Sequence, residues 1–293
     1  MKRILFLVGL IILTLTVTAQ DSMLVDLEID QFSTFSTTRV ISGHSTEMLQ
    51  KSTMDFRVGH RFDNLDKGIQ ELYGLDNIRD VRVAFEFGLS DKVNIAVARS
   101  KGISPLSSLL DGYVKTKLLT QTSDNSKPVS VVYLATLEYT YMHASSDPSS
   151  PVSFNKQANR FSYNHQIIIA RKINDRISAQ LTPAYNFRQY VAAEDNNVIL
   201  ALGLAGRYTL NKVVSVSAEY FFLPENINRE FLGQKYYNPL AFAIEFNTGG
   251  HVFHMNLSNA AGISETQFLT YNNEKWTDLH FRYGFTISRI FKI

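Results

Sequence analysis

From residue 53 onwards the chain alternates apolar and polar side chains in runs of about ten residues, with turn-forming residues between the runs. Residues 279–287 show the pattern best. Leu279, Phe281, Tyr283, Phe285 and Ile287 share one parity, and His280, Arg282, Gly284, Thr286 and Ser288 share the other. A β-strand sends successive side chains to opposite faces, so such a run has one oily face and one wet face. Repeated many times, this is the pattern of a transmembrane β-barrel.

The alternation predicts about twelve strands. They fall near 53–62, 80–89, 92–100, 111–119, 129–141, 160–171, 177–190, 197–208, 213–223, 239–247, 251–258 and 278–292. Very short connections (Ser90-Asp91-Lys92, 172–176, Leu210-Asn211-Lys212, Thr248-Gly249-Gly250) alternate with long ones at 63–79, 101–110, 142–159, 224–238 and 259–277. Outer-membrane barrels have short turns at the periplasmic rim and long loops outside. The link at 120–128 is longer than a tight turn yet belongs to the inner rim, and Leu65 to Leu75 is read as a short helix in the first long loop. Aromatic residues gather at the strand ends on the oily parity, among them Tyr139, Tyr141, Tyr185, Tyr208, Tyr220, Phe222, Phe281 and Phe291. These suit the girdles of a membrane barrel. A soluble β-sandwich also buries aromatic rows, but its strands are usually shorter than a tilted membrane crossing requires. The expected fold is all-β: an antiparallel up-and-down transmembrane barrel.

The wet parity carries both signs of charge. Arg57, Arg61, Arg82, Lys115, Lys117, Arg188, Arg207 and Arg282 alternate with Asp55, Glu86, Glu138, Glu219 and Glu245. In a barrel of this size side chains fill much of the interior. Opposite charges there are expected to pair, because an unpaired buried charge is costly. The lumen-lining set is therefore Arg57, Arg82, Glu86, Glu138, Arg188, Arg207, Glu219, Glu245 and Arg282. Two functions fit it. One is a narrow channel for small solutes in which the arginines favour anions. The other is a non-conducting envelope scaffold that holds a partner protein through its long loops or N-terminal arm.

The segment before the first strand divides in two. Met1-Lys2-Arg3, an apolar run from Ile4 to Val17, and Thr18-Ala19-Gln20 read as a cleaved export signal spanning 1–20. The apolar run is short for a retained membrane anchor, which needs roughly 20 residues. Residues 21–52 are polar with a few β-branched side chains, and fit a periplasmic arm, an extra strand or a plug. The barrel itself is assigned to 53–293. With no Cys there is no disulfide framework, no thiolate site and no lipid-bearing Cys. The expected location is the Gram-negative outer membrane. A net charge of +2 gives no bias towards nucleic acid.

Candidate chemistry is sparse. The seven His include no HExxH pair, and there is no phosphate loop or GxSxG elbow. His44, Glu47 and His60 are a weak candidate for a metal at the inner rim. His165 has the oily parity, as a lipid-facing phospholipase histidine would, but no matching Ser and orienting group are evident from strand order. The reading is therefore non-enzymatic, with no cofactor, no metal and no catalytic residue. Membrane lipids are the expected surroundings, and an envelope protein or a small anionic solute is the candidate partner.

Several stretches carry a family likeness. Thr38-Arg39-Val40-Ile41-Ser42-Gly43-His44-Ser45-Thr46-Glu47 is followed by Met54-Asp55-Phe56-Arg57-Val58-Gly59-His60-Arg61-Phe62. Further marks are Tyr73-Gly74-Leu75-Asp76-Asn77, residues 111–119, Ala193-Glu194-Asp195-Asn196-Asn197 and Gly206-Arg207-Tyr208. Together they resemble an uncharacterised family of Gram-negative membrane-bound β-barrel domains, over about residue 27 to the C-terminus. His-Arg-Phe is usually followed by Gly in that family, where this chain has Asp63. The resemblance implies an outer-membrane barrel and supplies no catalytic residues.

Overall fold

The computed structural model describes residues 33–293 apart from 151, 190, 193 and 232. The export-signal expectation for 1–20 and the first part of the 21–52 segment lie outside the described residues.

Fourteen strands are described. They are β1 Thr53–Asn64, β2 Ile78–Ser90, β3 Val93–Ile103, β4 Leu106–Leu119, β5 Ser130–Thr140, β6 Phe161–Lys172 and β7 Ile177–Arg188. Then come β8 Val198–Thr209, β9 Val214–Phe222, β10 Glu230–Phe231, β11 Gln234–Lys235, β12 Leu240–Asn247, β13 Val252–Ser258 and β14 Arg282–Lys292. Twelve of them close into one barrel, each antiparallel to its neighbour. The two-residue strands β10 and β11 form a separate ribbon on the link from β9 to β12. β1 meets β14 from Thr53 opposite Lys292 to Arg61 opposite Gly284, so no barrel edge is left open.

Period-two burial runs through the wall. In β7, Ser178, Gln180, Thr182, Ala184, Asn186 and Arg188 are buried, whereas Ile177, Leu181 and Tyr185 are exposed. An exposed row of Leu, Ile, Val, Phe and Tyr around the outside is what hydrocarbon requires of a barrel surface. The short turns are made by local side-chain chemistry. Asn174 Oδ1 accepts from Arg176 N–H and Ile177 N–H, both at 2.9 Å. Asn211 Oδ1 does the same for Val213 and Val214, also at 2.9 Å. These carboxamides stand in for a missing backbone acceptor and reverse the chain within a few residues.

The structure corrects the sequence reading at three connections. The 101–110 stretch is not a long loop: β3 and β4 run on past the expected ends and meet at Ser104-Pro105. The last strand begins at Arg282 rather than 278, because Trp276–Asp278 form a 3-10 turn and Leu279 is left-handed at φ 60°. The expected helix in the first long loop is two 3-10 pieces, Leu65–Lys67 and Ile69–Gly74. Gly74, at φ 86°, lies so close to the Asp63 carbonyl that a Cβ there would stand 2.4 Å from its oxygen.

The long connections cap one end of the barrel. Ile103, Leu106, Leu109, Phe154, Tyr236 and Tyr271 form an apolar cluster joining four of the chain segments at that rim. Asp195 adds an ionic latch, accepting from Arg229 at 2.8 Å and lying 3.0 Å from Arg188. Burial pushes the Asp195 carboxyl up, but the two guanidinium groups outweigh it and hold it below the usual carboxylate range.

Candidate functional site

Two pieces of the chain lie inside the barrel. The first is residues 33–50. It makes a tight turn, with Val40 N–H donating to Gly43 O at 2.8 Å and Ser45 N–H to Thr38 O at 3.0 Å. One isolated bridge, Arg39 to His44, joins its two arms, and residues 33–50 belong to no strand of the closed barrel. The second is the connection from β13 to β14, whose short α-helix Glu265–Thr270 is wholly buried.

The wall grips the first segment with polar groups. Glu219 on β9 accepts from the backbone N–H of Ile41, Ser42 and Gly43 at 3.2, 2.7 and 3.1 Å. A turn presents several N–H groups to one side, and a carboxylate is the acceptor that satisfies them together. Lys115 on β4, fully buried, donates to the carbonyls of Thr38 at 3.1 Å and Glu47 at 2.6 Å. Thr38 Oγ1 donates to Glu86 at 2.6 Å and accepts from Arg57 at 3.2 Å. Gln180 donates to His44 O at 2.8 Å. Ser36 bonds to both Glu245 and Arg207.

Apolar contacts complete the grip. Phe35, Val40 and Ile41 pack on Ala170, Ala241 and Ala243, with Ala205 at the margin. Phe221 of β9 points inwards, and its ring is wedged between two glycines. A Cβ on Gly43 would stand 2.9 Å from the ring, and one on Gly203 of β8 would stand 2.6 Å from it. Phe268 and Leu269 of the buried helix pack with Phe221, Leu223 and Ile199. The inward parity is therefore a mixed protein core, not a uniformly wet face.

Of the sequence-predicted lumen residues, Arg57, Arg82, Glu86, Glu138, Arg188, Glu219, Glu245 and Arg282 are buried and Arg207 is half-buried. Arg57 pairs with Asp55 at 2.9 Å, Arg207 with Glu245 at 3.1 Å, and Arg188 with Asp195 at 3.0 Å. Arg82 pairs with Asp111. Arg282 pairs with Asp63 at 3.0 Å and Glu274 at 2.7 Å. Glu86 and Glu219 bind the inserted segment. Glu138 is buried near Asp111 and Glu265, with no cation in ion-pair contact among the described residues. Sequence reasoning missed Arg39, Glu265 and Asp111, and missed Phe221 as an inward ring. One signal was available: β8 and β12 carry Ala201, Gly203, Ala205, Ala241 and Ala243 on the wet parity, and small apolar residues there leave room for something other than water.

The proposed inner-rim group does not assemble. His44 is buried in the lumen with Nε2 3.0 Å from Glu265. Glu47 is bound by Ser33 and Thr34. His60 has the opposite parity and stacks on Phe285, ring centroids 4.6 Å apart. No group of three His, Asp or Glu suited to a metal occurs among the described residues. His165 faces outwards, as its parity requires, and its Nδ1 lies 2.8 Å from the Tyr133 hydroxyl. Its partner is a phenol rather than a serine nucleophile.

Below the inserted segment a cavity of about 920 Å³ opens at the short-turn rim. Lys51, Lys117, Arg207 and Lys212 line it, with Asp55, Asp91 and Asp175.

The chain is similar in fold to outer-membrane barrels of known structure. The NanC porin is 8% identical, with a TM-score of 0.48 over 82% of this chain and 100% of that one. The KdgM porin in complex with disordered oligogalacturonate is 10% identical, with a TM-score of 0.47 over 81% and 98%. The outer-membrane phospholipase A of Escherichia coli is 12% identical, with a TM-score of 0.45 over 83% and 91%. No curated protein matches the chain. Residues 35–291 match the family described as a membrane-bound β-barrel domain, and the chain belongs to that family.

Proposed function

We propose that this protein is a non-enzymatic outer-membrane channel for small solutes, closed here by its own residues 33–50 and by the β13–β14 connection. The observation that carries the reading is the 920 Å³ cavity, which enters from the short-turn rim and stops at a segment held by hydrogen bonds and ion pairs rather than by strand pairing. The segment shares no strand pairing with the wall, so its departure breaks side-chain contacts and the packing of Phe35, Val40 and Ile41 but no ladder of the barrel. The cavity carries Lys51, Lys117, Lys172, Arg207 and Lys212 against Glu47, Asp55, Asp91 and Asp175, a slight cationic excess that favours small anions. In this reading residues 1–20 are the export signal, and the short turns face the periplasm.

Planar-bilayer recording tests it. The full chain should show a closed or briefly flickering baseline, and a chain lacking both residues 33–50 and the buried 260–272 stretch of the β13–β14 connection should show sustained anion-selective conductance. Should that deletion prevent insertion, Glu219→Gln weakens the same grip and should raise the open fraction. Barrels that fold, by heat-modifiable migration, yet never conduct in either variant would refute the channel.

A further inference from the structure

The aromatic belt at the short-turn rim holds a cation that no carboxylate neutralises. Arg289, near the end of β14, and His251, just before β13, have the outward parity and are half-buried. Val252 stands opposite Ser288, so His251 and Arg289 are neighbours across the strand pair. Arg289 Nη1 lies 3.4 Å from His251 Nε2. A guanidinium has donors only, so Nε2 accepts and the ring proton sits on Nδ1. The His251 ring stacks on Phe253, centroids 5.8 Å apart. The Arg289 guanidinium lies 5.0 Å from the centre of the Phe291 ring, and on the other side Arg289 stands opposite Phe56 of β1. No Asp or Glu pairs with Arg289 among the described residues, and its remaining N–H groups meet no protein acceptor there. Arg171, an outward cation of β6 at the same rim, differs: it donates to Asn125 Oδ1 at 3.3 Å.

Deeper in the wall the same two strands present apolar and aromatic pairs. Phe253 faces Ile287, Met255 faces Phe285 and Leu257 faces Tyr283. Met255 and Phe285 lie two outward steps from His251 and Arg289, about 13 Å at the rise of a strand. That pair lines an apolar groove of about 1150 Å³, which continues over Ile244 and Phe242 of β12. One column of paired residues therefore runs from an unneutralised guanidinium at the rim to an apolar groove in the hydrocarbon belt. Aromatic rings of this kind sit at the level of the lipid headgroups. The acceptors a guanidinium meets at that depth are phosphate oxygens, which its fork of N–H groups binds well.

We propose that Arg289 and His251 bind the phosphodiester of a glycerophospholipid in the periplasmic leaflet, with its acyl chains along Ile287, Met255 and Phe285. Arg289 supplies the charge. His251 holds the guanidinium through Nε2 and keeps Nδ1–H as a second donor. The choice of leaflet rests on the short turns facing the periplasm, and the site does not depend on conduction.

The test is lipid retention by the purified full chain in detergent, read by native mass spectrometry. The probes are phosphatidylglycerol, diacylglycerol with the same acyl chains, and inorganic phosphate as competitor. Phosphatidylglycerol should be retained in preference to diacylglycerol and should survive the competitor. Arg289→Gln should lower its affinity roughly fivefold, the equivalent of about 1 kcal/mol for one basic group. His251→Phe keeps a ring against Phe253 but removes the acceptor, and should lower affinity by less. Arg171→Gln should leave it unchanged, and heat-modifiable migration shows that each variant is folded. Unchanged affinity in Arg289→Gln, an equal loss in Arg171→Gln, or equal retention of diacylglycerol would overturn the site. Full displacement by inorganic phosphate would mean a free-anion site and overturn the lipid. A barrel that retains the phospholipid but never conducts leaves this site standing and removes only the channel.

Discussion

Arg39 Nη1 lies 2.7 Å from Glu265 Oε1, and both side chains are buried. One belongs to the inserted N-terminal segment and the other to the buried helix between β13 and β14. The pair ties the two pieces that fill the lumen to each other, and Arg39 also donates to Ser42 O at 2.6 Å within its own turn. Burial and a coulombic pull act in opposite directions on Glu265, and Arg39 and His44 prevail, so its carboxyl stays well below the usual range. Loosening either piece therefore leaves an uncompensated charge on the other.

Glu265→Gln should destabilise the filled lumen by roughly 3–5 kcal/mol, the usual cost of removing one partner from a buried pair. Urea unfolding in detergent measures it. The double change Arg39→Leu with Glu265→Leu should recover much of the loss. A single variant as stable as the parent would show that the pair does not couple the two pieces.

Gly43→Ala should cost roughly 1–3 kcal/mol, since its Cβ would meet the Phe221 ring at 2.9 Å. Gly203→Ala presses on the same ring from the wall, at 2.6 Å. Adding Phe221→Leu should relieve both. Thermal midpoints of the singles and doubles decide the matter, and a tolerated Gly43→Ala with Phe221 intact would place the turn elsewhere.

Acid should release the outer latch. Asp195 titrates below the ordinary carboxylate pKa in the folded chain, so its contribution is fully present above that ordinary value. The contribution falls away as pH drops from about 4 through the lower folded value. The chain has no Cys, so Glu194→Cys gives a unique spin-label site on the same loop. Label mobility should stay constant from pH 8 to 5 and rise below about 4. Asp195→Asn should be mobile throughout.

Ile167→Arg places a charge on the exposed face near the centre of β6. Destabilisation of roughly 2–4 kcal/mol is expected in lipid vesicles, because the charge would sit near the bilayer midplane. The same substitution at Leu118, near the short-turn rim of β4, should cost less. Equal small effects at both sites would mean that this face does not meet hydrocarbon.

The fold was largely legible. Alternation located all twelve barrel strands, since a period of two survives any detail of packing, and Asn174 and Asn211 marked turns that close through their own side chains. The strand ends were less legible. Ser104-Pro105 closes a hairpin where ten residues were read as a loop, because β3 and β4 continue past the point where alternation fades. The site was legible by half. Parity gave Arg57, Arg82, Arg188, Arg207 and Arg282 their inward direction, but three of their partners, Asp111, Asp195 and Glu274, carried no signal that linked them.

What the sequence determined by itself was the two-faced alternation of the wall, because a strand has only two faces and hydrocarbon tolerates only apolar residues on the one it meets. What the tertiary structure decided was what the inner face touches. A buried carboxylate such as Glu219 is satisfied equally by water, by a solute or by three backbone N–H groups, and residue type does not distinguish them. Only the closure of the wall around residues 33–50 brings Ile41, Ser42 and Gly43 to that carboxylate and turns an apparent pore lining into a packed core.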